Sequence, residues 1–254
     1  MLRKSPSRAR LLIETMFEAA QLGRSLTKKQ LEKLLPDLRA RLVQAQSRLT
    51  AARVPVIIII SGVDGAGKGD VVHRLNEWFD PRGLDTHAFE HELDQKSERP
   101  RFWHFWQALP AQGRIALLFG SWYTAPVIRR VYGEIRKAEL DQALDRIAFF
   151  EEMLAKDGAL IIKLWFHLSK DALHERLTSL QRDPETHWRV LPKDWTHRKL
   201  SDKFIKVSER ALRATDKGHS PWHLVEATDS RYRTLKRSGK LVTVTTEQLR
   251  KMIV

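Results

Sequence analysis

A glycine-rich stretch between an apolar run and an amphipathic run is the first place where this sequence can do chemistry. Residues 55–69 read PVIIIISGVDGAGKG. Gly62, Gly67 and Lys68 fit the spacing G-x-x-x-x-G-K, in which backbone N–H groups, a helix N-terminus and a lysine ammonium receive phosphate oxygens. Gly65, Ala66, Gly69 and Asp70 complete the expected phosphate-binding loop and the first turn of its helix. The hydroxyl that usually follows the lysine and ligates Mg²⁺ is missing, because position 69 is glycine. Asp64 stands inside the loop. A carboxylate facing a bound polyanion must hold a metal ion, orient an acceptor, or serve only to stabilise the turn. The chemistry within reach is phosphate binding or phosphoryl transfer.

Those residues need a strand and a helix to hold them. Val56 to Ile60 form a continuous β-branched run suited to a central parallel strand, and Val71, Val72, Leu75 and Trp78 follow at helical spacing. Upstream, Thr27 to Gln30 reads as a capping box ahead of Leu31, Leu34, Leu38, Leu42, Ala45 and Leu49, with Pro36 expected to split that segment into two helices. Downstream, Asp80 to Gly83 predicts a turn, and strands are predicted at 86–90, 115–119, 159–166 and 222–226. Helices are predicted at 101–107, 140–154 (closed by Gly158), 169–181 and 194–214, with helical turns at the C-terminus. This alternation implies an α/β fold with a mostly parallel, doubly wound sheet, and a ligand site at the carboxyl ends of the strands. Residues 1–53 are expected to form a helical leader on the core or on a partner, and 54–254 the α/β domain that carries the phosphate loop.

Composition excludes several classes. The chain has 254 residues and no cysteine, so disulfides and thiolate metal sites are absent. No apolar run approaches the ~20 residues of a membrane span, and the basic N-terminus lacks the apolar core of a signal peptide, so a soluble, cytoplasmic protein is expected. Forty-five Lys and Arg against 31 Asp and Glu give a net charge of +14, a field that attracts polyanions without choosing among them. The histidines suggest no metal site; His87 and His91 fall on a predicted strand and its end. Trp103, Phe105 and Trp106 read as core, although an aromatic cluster of this kind can also stack an adenine.

Several motifs taken in order resemble the polyphosphate kinase 2 family. They are GVDGAGKG, DPRG at 80–83, SWY at 121–123, IIKLWFHLS, DPETHWRVLPKDW at 183–195 and SPWHLVEATD from Ser220, and the resemblance covers about residues 15–235. It implies a P-loop kinase-like three-layer sandwich, Mg²⁺-dependent phosphoryl transfer between polyphosphate and an adenine nucleotide, and frequent oligomers. Carried over by position, Lys68 resembles the family's loop lysine and Asp64 its catalytic, metal-handling aspartate. Arg82 resembles a basic residue near the phosphate path. Lys170, Arg176, Arg182, Arg189, Lys193 and Arg198 fall in a region resembling a mobile lid at about 170–200, of which about half are expected to be solvent-facing.

One motif departs from the pattern. Where the family has DRSWY, a polar residue and Arg, this chain has FGSWYTA, so Phe119 replaces an acidic residue and Gly120 and Ala125 replace arginines. Restoring Phe119→Asp with Gly120→Arg is expected to raise activity if those losses limit turnover. FGSWYT with an intact loop lysine resembles the amino-terminal half of fused two-domain polyphosphate:AMP phosphotransferases. That leaves two readings, a fragment of such a protein or a free-standing copy of that half, which would act as a homo-oligomer or beside an active family member. Two functions follow: a polyphosphate-dependent nucleotide phosphotransferase, or a catalytically degenerate domain that binds polyphosphate or nucleotide. Gly69 argues against a conventional ATP-dependent nucleoside monophosphate kinase, and no recognised motif supports nucleic-acid binding.

Overall fold

The computed structural model describes residues 16–89 and 99–234. Its centre is a parallel sheet of five strands in the order β2-β3-β1-β4-β5, with β1 Val56–Gly62, β2 Leu84–Ala88, β3 Ile115–Phe119, β4 Leu160–His167 and β5 Trp222–Glu226. β1 lies at the centre between β3 and β4, and the apolar runs of β1 and β4 are buried on both faces, as a strand covered by helices on each side requires. Alternate residues serve opposite layers. Val56, Ile58 and Ile60 share a core with Leu42, Leu75 and Leu173, whereas Ile57 and Ile59 share one with Leu144, Ile147 and Leu212.

The first layer is built from α1 (Lys28–Ala51), α2 (Lys68–Trp78) and α6 (Lys170–Arg182); the second from α4 (Thr124–Tyr132), α5 (Lys137–Lys156) and α8 (Ser201–Thr215). Two short helices, α3 (Trp103–Gln107) and α7 (Pro192–Lys199), complete the described fold. The doubly wound architecture is as the strand–helix alternation implies. The capping box forms as expected, with Gln30 N donating to Thr27 Oγ1 at 3.2 Å and Thr27 N to Gln30 Oε1 at 2.9 Å.

Pro36 does not split the leader helix: α1 runs unbroken for 24 residues. An internal proline costs a helix about 3 kcal/mol. Here Pro36 faces solvent, where water can take the freed carbonyl, and burial of Leu38, Leu42 and Leu49 offsets the cost. The region 194–214 is two helices that meet at Leu200, and α4 is a helix the periodicity did not bring out. The strand at 86–90 starts earlier, at Leu84; Glu90 and His91 lie outside the described residues, as does the C-terminal segment beyond Thr234. Among the described residues, no helix is long and apolar enough to cross a membrane.

Candidate active site

The loop between β1 and α2 lies at the carboxyl edge of the sheet. Lys68, the first residue of α2, turns back into it: its Nζ donates to Gly62 O at 2.7 Å, Val63 O at 3.0 Å and Asp64 Oδ1 at 3.1 Å. The other carboxylate oxygen of Asp64 accepts from His197 Nδ1 of α7 at 2.5 Å. Desolvation pushes the Asp64 pKa up, but the Lys68 charge and the His197 hydrogen bond outweigh it and hold the carboxyl well below the usual range. Gly67 caps α2 in the left-handed conformation (φ +73°), and a Cβ there would lie 2.5 Å from the Arg233 guanidinium. Only glycine lets that cation lie against the loop.

Asp70, in the first turn of α2, draws three guanidinium groups from three elements. Arg189 lies 2.9 Å away, and Arg176 of α6 and Arg233 each at 3.5 Å. Burial pushes Asp70 up, but these arginines hold its pKa below the ordinary value. Arg233 is almost fully buried, which pulls its pKa down to about 10, and its Nη1 donates to Ala227 O at 3.0 Å. Arg176, Arg189, His197 and Arg233 are thus held against the loop by carboxylates of the loop and of its helix.

The neighbouring strand end is different. Phe119 pairs in register with Ile60 of β1 and offers no charge. Gly120 has φ +80°, and a Cβ would lie 2.4 Å from the Phe89 carbonyl oxygen. An arginine at 120 therefore requires the backbone to move, so the sequence-based restoration of Phe119→Asp with Gly120→Arg is not a simple side-chain exchange. Behind this end lies a sealed polar network. Lys163 of β4 and Glu151 of α5 are fully buried and meet at 2.7 Å. Glu151 also accepts from Trp122 Nε1 at 3.0 Å, Tyr123 Oη at 2.7 Å and Ser220 Oγ at 2.9 Å, while Lys163 also donates to Thr215 O at 2.7 Å. Trp122 and Tyr123 of the SWY motif thus anchor the core.

The sequence pattern described as Polyphosphate kinase 2 matches residues 25–252. The chain belongs to the polyphosphate kinase 2 family. A curated relative, a polyphosphate:AMP phosphotransferase of Pseudomonas aeruginosa, is 47% identical over 221 residues, which are 87% of this chain and 45% of that protein. A crystal structure of a polyphosphate kinase 2 from Pseudomonas aeruginosa superposes with a TM-score of 0.82 at 43% identity, covering 92% of this chain and 48% of the other. Another, from Arthrobacter aurescens, gives 0.83 at 28% identity and covers 89% and 82%. The chain spans under half the length of its match in each of the two Pseudomonas aeruginosa comparisons.

The polyphosphate kinase 2 fold brings together only part of the expected residue set. Gly62, Gly65, Gly67, Lys68 and Asp64 converge with Arg176 and Arg189. Ala66 is buried and its amide is spent on Val63 O at 3.2 Å, so it gives the loop its shape. Gly69 faces open space and could have carried a hydroxyl. Asp70, expected on phosphate, holds arginines instead. Arg82 is a correction: it precedes β2 and so lies at the amino edge of the sheet, opposite the loop, where its Nη2 meets Asp80 at 2.6 Å. Lys170 pairs with Asp202 at 3.0 Å, and Arg182 and Lys193 are exposed. Arg198 is half-buried, with a buried Nε that lacks a hydrogen-bond partner. His197 and Arg233 escaped the sequence reading, because nothing in a lone histidine or a single arginine marks convergence on a distant loop.

The donor set does not fit a protein-held Mg²⁺. Asp64 is the loop's one carboxylate and both its oxygens are engaged; Gly69 and Phe119 lack the usual oxygen ligands. Among the described residues, no group of three His, Asp or Glu side chains is arranged to hold a metal ion.

Proposed function

We propose that this chain is a polyphosphate-dependent nucleotide phosphotransferase unit, moving a phosphoryl group between polyphosphate and AMP or ADP. The observation that carries this reading is the Lys68 ammonium in the mouth of the glycine loop, held by two carbonyls and Asp64 beneath a lid of arginines. These contacts are ones that phosphate can replace. An incoming phosphate takes the Lys68 ammonium, and Arg176, Arg189 and Arg233 exchange Asp70 for phosphate oxygens, which bind guanidinium in a fork geometry. Asp64 and His197 then face the transferred group and orient the acceptor. Catalysis is positioning and electrostatic stabilisation, as in phosphoryl transfer generally. Charge neutralisation falls to side-chain cations, and Mg²⁺ carried on phosphate oxygens belongs to the substrate.

A second reading, a domain that binds polyphosphate without turnover beside an active copy, is favoured by Phe119 and by the pinned backbone at Gly120. The deciding experiment measures nucleotide formation from long-chain polyphosphate with AMP and ADP separately, alongside Lys68→Ala. Product that vanishes in the variant supports the enzyme. No product from a sample that binds polyphosphate supports the binding domain, and absence of both binding and turnover defeats both readings.

A further inference from the structure

Arg233 reaches the phosphate loop from a segment with little support of its own. β5 is an edge strand, paired only with β4, and the chain from Ala227 to Arg233 leaves its carboxyl end. Arg176 and Arg189, by contrast, come from α6 and the turn that follows it. Local bonds fix part of the segment: Arg233 N donates to Asp229 O at 3.0 Å, and Tyr232 N to Asp229 Oδ1 at 2.6 Å. Further support comes from residues far away in sequence.

Residues 16–24, ahead of α1, cross the carboxyl ends of β4 and β5. Phe17 is 1% exposed, and its ring lies parallel to that of His167 with centroids 4.5 Å apart. Met16 N donates to Glu209 Oε1 of α8 at 3.2 Å, and Gln21 Nε2 lies 2.7 Å from His167 Nε2. Arg24 completes the crossing. Its N donates to Glu226 Oε1 at 3.1 Å, and its Nη1 to Tyr232 Oη at 3.1 Å. His167 and Glu226 are register partners and the last residues of their strands. The contacts with β4, β5 and Tyr232 thus land on groups that hold Arg233 or adjoin it. His167 O accepts from Ala227 N at 3.0 Å, and Ala227 O accepts from Arg233 Nη1 at 3.0 Å.

We propose that residues 16–24 are a positioning strap for the phosphate site, with Phe17 as its anchor and Arg24 as the positioning residue that keeps Arg233 against the loop at Gly67. The inference rests on the phosphate reading above and adds to it a part of the chain remote from the loop. What the strap supplies is preorganisation. A guanidinium already fixed beside the loop loses less freedom when phosphate arrives than one that must first be ordered.

The test is equilibrium binding of tripolyphosphate to the full chain, with amide exchange of the unliganded protein as a second readout. Arg24 is exposed, so Arg24→Ala leaves the core intact. It should weaken binding about threefold, the size of one exposed hydrogen bond. Arg24→Lys, which keeps a donor for Tyr232, should restore binding. Phe17→Ala should weaken it about tenfold, the size of one charge-assisted hydrogen bond from a displaced Arg233. In an Arg233→Met background both substitutions should change nothing more, because the group they position is gone. Amide exchange should quicken at 227–234 in both variants and stay slow in β1. Unchanged binding in both variants overturns the proposal. Equal weakening with and without Arg233 also overturns it, leaving the strap a purely structural part, and so does unchanged exchange at 227–234. A parent that binds no tripolyphosphate defeats the phosphate reading instead, while the exchange result still decides whether the strap holds Arg233.

Discussion

Two lysines of this chain have nearly the same kinds of partner and opposite access to solvent. Lys68 donates to two carbonyls and a carboxylate; Lys163 donates to a carbonyl, a hydroxyl and a carboxylate. The difference is access. Lys68 sits at the mouth of a loop where each partner can be replaced by a ligand oxygen, while Lys163 is sealed between β4, α5 and α8 with no exposed surface. Burial pulls the Lys163 pKa down, while Glu151 pulls it back. A count of hydrogen bonds would not separate a cation within a ligand's reach from a sealed one.

The largest test of that contrast is Glu151→Ala. It strands the Lys163 ammonium in the core and should cost about 3–5 kcal/mol of stability, read as a lower denaturant midpoint. Lys68→Ala should leave the midpoint within about 1 kcal/mol of the parent. Equal losses from both would break the comparison. Activity should respond the other way: Lys68→Ala is expected to lower nucleotide formation by about 10²- to 10³-fold, the size seen when one preorganised electrostatic group is removed.

A pH test addresses a third group on the sealed side. His167 lies on the same face of β4 as Lys163, and burial pushes its pKa down to about 4. The unfolded chain then binds the proton near pH 6.5 and the folded chain only near 4, so stability should fall by up to about 3 kcal/mol as pH drops through that window. Melting temperatures measured from pH 7 to 4 should show this slope, and His167→Gln should flatten it. A slope unchanged in the variant would assign it to other groups.

Smaller effects sharpen the account of the lost motif. Phe119→Asp with Gly120→Arg should destabilise by about 1–3 kcal/mol, because an arginine is forced into a glycine conformation against the Phe89 carbonyl. It should give no more activity than Phe119→Asp alone; a clear gain would show that the β3 end can move. Asp70→Asn should have the least effect on stability. It loosens three arginines from α2, so amide exchange in α6 and α7 should quicken while β1 and β4 stay protected.

The sequence by itself determined the strand–loop–helix unit. A β-branched run, G-x-x-x-x-G-K spacing and an amphipathic repeat are local patterns, and local physics suffices to form them. It also determined the alternation that yields the parallel sheet, and the loss of charge at Phe119. The tertiary structure alone decided which distant cations share a carboxylate. His197 is 133 residues from Asp64, and Arg233 is 163 from Asp70. No periodicity encodes such convergence, because it depends on where crossovers return the chain. The same return sends Arg82 to the far edge of the sheet and buries Lys163, which reads in sequence as a stray charge in a strand. Charge type is a property of the residue; whether a ligand can reach it is a property of the fold.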